Sequence, residues 1–168
     1  MSDPTIRPAY SVWPHYNRRL RGVVAALTDE QLAIQPTPER WPIWATVGHT
    51  ACQRISWLCD FAGEPGAETT PFTDAMNYCP GDEDLEHPLD AAALVEALDS
   101  TFRIIEHCLD RWTVGMLGEE LRRTFGSEEM VHTRSWVIQR VFTHDIHHCA
   151  ELNETFGRAE LPQIDLWN

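Results

Sequence analysis

Positive charge is scarce in this chain: 13 Lys and Arg stand against 26 Asp and Glu over 168 residues, a formal charge of −13, and no basic run interrupts the acidic field. Phosphate backbones and anionic lipid surfaces are held by clustered Lys and Arg, so neither nucleic acid nor a membrane is an expected partner. Arg18, Arg19, Arg21, Arg122 and Arg123 come nearest to patches and read as solvated helix faces. Long apolar runs are also missing. None nears the ~20 residues that a membrane span needs, and the opening MSDPTIRPAYSVW lacks the charged-then-apolar pattern of an export signal. A cytoplasmic protein is the expectation. The cysteines, Cys52, Cys59, Cys79, Cys108 and Cys149, are odd in number and include no C-x-x-C pair. They predict neither a disulfide framework nor a zinc knuckle, but reduced thiols that mostly fill core space. Internal repeats and low-complexity segments are absent too.

What the chain has is a 43% hydrophobic content and seven tryptophans, too many for a disordered sequence. Its length suits one domain over residues 1–168, since two halves would each be marginal. Helical spacing runs from Pro14 to about Leu27 through Tyr16, Leu20, Val23 and Val24. Thr28 to Gln31 resembles a capping box opening a short turn. A second long helix is expected over about 42–61, ending before Gly63. Residues 64–88, rich in Gly, Pro, Thr, Asp and Glu, predict a long loop, of a kind that commonly covers a site. Over 89–112, Ala91, Val95, Leu98, Phe102, Ile105, Leu109 and Trp112 alternate four and three apart, the seam of a helix packed along its neighbours. Residues 113–131 form a polar connector in which LRRTFGSEEM reads as a hairpin or an irregular loop. A last helix over about 133–156 should stop at Gly157, a left-handed cap position, and the tail RAELPQIDLWN is apolar enough to dock. The expectation is an all-α, up-down four-helix bundle with long connectors.

The stretch THDIHHCAEL carries three of the eight histidines. At ~100° per residue His144 and His148 share one helical face, with Val137, Val141, Glu151 or Leu152, and Thr155, so two core layers hold imidazoles. Burying unpaired ring nitrogens costs about 1–3 kcal/mol each, and a metal ion offsets that cost, because imidazoles at i and i+4 can converge on one cation. The pair needs a third ligand. His49 supplies one from the second helix, on a stripe of small or polar residues, Ala45, His49, Cys52, Ser56 and Cys59. Gly48 beside it marks a close approach, since glycine inside a helix costs about 1 kcal/mol relative to alanine. Cys52 reads as a small buried thiol, His147 as a rim or packing residue, and His15, His87, His107 and His132 as surface or capping residues.

With WPIWATVGHTACQRISW on the second helix, THDIHHCAEL on the fourth and FGRAELPQIDLW at the end, the chain resembles the DinB/YfiT-like family of bacterial metal-binding four-helix bundles. The resemblance implies a three-histidine site made of His49, His144 and His148. Glu151 stands where that family often has glutamine. Its carboxylate is then a candidate fourth ligand, an outer acceptor for an imidazole N–H or a general base, with a merely solvated helix end as the alternative. Some members of the family are transferases that place a low-molecular-weight thiol such as bacillithiol or mycothiol on an electrophile, and members are often dimers. The implied reading is a divalent-metal enzyme, with zinc or nickel suiting imidazole ligands, a thiol co-substrate, a small-molecule substrate and a homodimeric assembly. A non-catalytic metal- or ligand-binding stress protein and a hydrolase using metal-bound water are the alternatives. Trp41, Trp44, Tyr78 and Trp136 are candidates for the mouth of the site.

Overall fold

Helix starts in this chain follow the residues that satisfy the first backbone N–H groups. The computed structural model describes residues 3–73, 79–82 and 84–167. In it α1 (Trp13–Val24) opens with Pro14 in its first turn. Thr28 and Gln31 close the anticipated capping box on α2 (Asp29–Leu32), at 2.9 and 3.3 Å. Helix α3 (Ile43–Ile55) runs on through a π-helical turn, Ser56–Phe61, and stops before Gly63. The Asp90 carboxylate accepts from the Ala93 N–H to start α4 (Ala91–Arg111), and Thr133 does the same for Trp136 in α5 (Arg134–Arg158).

Between α4 and α5 the connector resolves into a hairpin, with β1 (Glu120–Phe125) antiparallel to β2 (Glu128–Thr133) and Glu120 opposite Thr133. Gly126 turns it at φ +61°. Among the described residues the architecture is therefore helical with one small two-stranded sheet, so LRRTFGSEEM takes the hairpin of its two open readings and the fold is not all-α as expected. The residue pattern left a loop equally open because β1 reaches inward only through Leu121 and Phe125, and no strict two-residue alternation marks either strand.

Helix α3 is the centre of the packing. It lies against α4 and α5, and every residue from Ile43 to Cys52 is buried, whereas α1 packs on α4. Among the described residues no helix is long and apolar enough to cross a membrane. The tail docks through Ile164, whose N–H and C=O pair with the Asn153 side chain at 2.7 and 2.8 Å.

Two expectations need correcting. Gly157 is not the left-handed cap: α5 continues to Arg158 and Glu160 takes the positive φ of 56°. Gly157 is instead where the tail returns, as a Cβ there would sit 2.6 Å from Gln163 Nε2. Nor are all five cysteines thiols. Cys52 on α3 and Cys79 form a disulfide, with Cα atoms 5.8 Å apart, leaving Cys59, Cys108 and Cys149 free. The pairing escaped because two cysteines 27 positions apart make no spacing pattern and only the chain's path brings them together.

Candidate metal centre

His144 and His148, one turn apart on α5, and His49, at the middle of α3, turn their rings to a common point. His144 Nε2 lies 3.1 Å from His49 Nε2 and 3.1 Å from His148 Nε2. A ring nitrogen has one in-plane site, holding either a proton or a lone pair. His144 Nε2 can therefore share one hydrogen bond, not two, and the cluster cannot be satisfied within itself. Two nitrogens each ~2.0–2.1 Å from one cation, at right-angled to tetrahedral geometry, stand roughly 2.9–3.4 Å apart. The observed separations fit that range, and the three buried imidazoles form a group that could hold a metal ion.

Electrostatics keep the rings in the ligand form. Burial, helped by the neighbouring His148 and His49, pushes His144 down to about 2. Burial also pushes His49 down to about 4 against the opposing field of Asp82, and it lowers His148 against the pull of Glu151. All three are neutral near pH 7, as metal coordination requires.

The outer nitrogens are oriented from outside. His148 Nδ1 donates to Glu151 Oε2 at 2.8 Å, which assigns its proton to Nδ1 and leaves a lone pair on Nε2. Glu151 Oε1 accepts from Arg40 at 3.1 Å and lies 3.4 Å from His147 Nε2. With both oxygens engaged, Glu151 steers His148. His49 Nδ1 faces the Asp82 carboxylate at 3.2 Å, outside hydrogen-bond geometry. Beside His148 opens a cavity of about 420 Å³, walled by Arg40, Trp41, Ile43, Thr46, Glu151 and Arg158.

One residue beyond His144, Asp145 forms a buried pair with Arg54 of α3 at 2.9 and 3.2 Å. Trp13 donates to the same carboxylate at 2.7 Å, and Arg54 also donates to the Leu98 carbonyl and to Thr101. Side chains of all four longer helices thus meet next to the histidines.

The other candidates fall in different places. His147 is an exposed rim residue; His87 pairs with Asp84, His107 with Arg111, and His132 stacks on Trp136 with ring centres 3.7 Å apart. Trp41 stands 4.8 Å from the His49 ring and lines the cavity, Trp44 is core, and Trp136 belongs to the hairpin's aromatic cluster. Tyr78 lies outside the described residues. Sequence reasoning missed Arg40, Asp82, Arg54 and Asp145. For Asp82 the only signal was an acid in the 64–88 connector expected to cover a site; for Arg40, in the break before the second helix, there was none.

A family model described as the DinB superfamily matches residues 16–152. The crystal structure of a DinB-like protein from Bacillus cereus ATCC 10987 superposes with a TM-score of 0.71 at 17% identity, covering 99% of this chain and 100% of that one. That likeness concerns the fold. No curated protein matches the chain.

Proposed function

Because the chain belongs to the DinB superfamily, we propose that it is a divalent-metal-dependent enzyme that transfers a low-molecular-weight thiol to an electrophilic small molecule. The observation that carries this reading is the convergence of three Nε2 atoms, 3.1 Å apart across His144, beside a cavity large enough for a ligand. His49, His144 and His148 hold the ion, with zinc or nickel matching neutral imidazole donors. A divalent cation in that position supplies Lewis acidity, which stabilises a thiolate at neutral pH. Glu151 holds the His148 proton on Nδ1 and takes a charge-assisted bond from Arg40 at the cavity wall. Trp41 and Ile43 exclude water from one side of the site.

In this reading residues 1–168 are one up-down four-helix bundle, α1, α3, α4 and α5, acting in the cytoplasm as a homodimer. Calorimetric titration of zinc and of nickel into the apoprotein and into His144→Ala is the test. Stoichiometric binding by the parent alone is expected, and equal binding by both sinks the site. Turnover of electrophiles such as monochlorobimane with several small thiols, with and without metal, then separates a transferase from a hydrolase or a binding protein.

A further inference from the structure

Residues Cys79 to Asp82 lie across α3 directly over His49. Cys79, Pro80 and Gly81 are buried, which is unusual for connector backbone. Three local features bring them there. Gly48 lets the strap touch the helix, since a Cβ on it would stand 2.9 Å from the Pro80 ring. Gly81, at φ +88°, packs on Trp41, where a Cβ would sit 2.8 Å from the indole. The turn closes on itself, the Gly81 N–H donating to the Asp84 carbonyl at 2.9 Å. At its end Asp82 reaches His49 Nδ1. The Asp82 carboxylate is 42% exposed, and a contact that open, to a neutral ring, contributes little holding force of its own. The covalent tie is the bond from Cys79 to Cys52, one turn beyond His49 on the same helix.

We infer that Cys52 and Cys79 are a redox-modification site, whose disulfide clamps the Cys79–Asp82 strap, and with it the Asp82 carboxylate, over metal ligand His49. The partner chemistry is a low-molecular-weight disulfide. One cysteine thiolate attacks it and expels a thiolate, forming a mixed disulfide; the second cysteine displaces the remaining thiolate. Two cysteine S–H groups and one RSSR become one Cys52–Cys79 bond and two RSH, with protons conserved. Both sulfurs are fully buried in the closed form, so the bond is shielded until the strap lifts. Cross-linking also confines the 27-residue excursion between the two positions, and so removes the entropy that would otherwise favour lifting. A carboxylate behind a ligating imidazole raises its basicity; a hydrogen-bonded partner of that kind is worth about 10–100-fold in metal affinity, and Asp82, close but not hydrogen-bonded, belongs at the low end. The metal consequence rests on the function proposed above; the strap itself does not.

Non-reducing peptide mapping of the full-length chain, after equilibration with oxidised glutathione, should recover Cys52 joined to Cys79. Recovery of both as thiols overturns the inference. Hydrogen exchange over residues 79–82 and 84–89 is expected to rise at least tenfold on reduction with a phosphine. Cys79→Ser should behave in the same way without reductant, and so should Cys52→Ala if the more buried substitution folds. Exchange indifferent to redox state overturns the clamp. Zinc affinity should fall about tenfold in the reduced chain, and Asp82→Asn should abolish that redox dependence. If zinc binds neither form, the metal reading falls while the exchange result still decides the strap.

Discussion

Helices α3 and α5 meet at two buried polar clusters, and the contrast between them is instructive. In one, Asp145 receives three donors from Arg54 and Trp13, and Arg54 finds further acceptors in Leu98 and Thr101. In the other, a single His144 nitrogen faces two imidazole nitrogens at equal distance and can satisfy only one. Both occupy the same interface at similar burial. A polar cluster complete in itself is architecture, fixing the rotation of α5 against α3. An incomplete one, with lone pairs aimed at a point, requires something from outside the chain.

That contrast can be broken in order of size. Asp145→Asn leaves Arg54 buried without its counter-ion and should cost about 3–5 kcal/mol in urea unfolding. If the loss is under ~1 kcal/mol, the first cluster is not architectural. Gly48→Ala forces Pro80 and the strap away from α3 and should cost roughly 1–3 kcal/mol, read as a lowered thermal midpoint, together with weaker zinc binding.

Acid should act on the histidine cluster through linkage. His49 and His144 bind protons more weakly folded than unfolded, so the unfolded state carries more protons as pH falls below the ordinary histidine value near 6.5. Stability in chelator is then complete above that pH. It declines toward pH 4 for His49 and on toward pH 2 for His144, by at most about 1.4 kcal/mol per unit for each ring. His144→Ala should flatten the decline, and an unchanged slope would place the acid sensitivity elsewhere. The smallest effect belongs to Glu151→Gln, which keeps an acceptor oxygen near His148 but removes the charge. About a tenfold loss of zinc affinity is expected with little change in apoprotein stability.

Much of the interface was legible beforehand. The stripe Val137, Val141, His144, His148 and Thr155 is buried as its 3-4 spacing implied, with Leu152 rather than Glu151 filling the layer between, and Gly48 does mark a close approach. Local rules reach that far because a helix converts spacing into direction without help from the rest of the chain. They did not reach Asp82, Arg40 or the Cys52–Cys79 bond, each of which depends on where a connector lies. Arg54 and Asp145 were hidden for another reason. A charged residue on a helix looks solvated until its opposite partner is known, and theirs are 91 positions apart.

Helical character, the shared face of two imidazoles on α5 and the excess of acidic over basic residues are properties of the residue order itself, because they follow from short-range geometry and from counting charge. The strap over His49, the Arg54–Asp145 pair and the 3.1 Å approach of His49 to His144 were settled only when the helices packed. Each depends on atoms from segments far apart in the chain, and no local periodicity encodes which of them will meet.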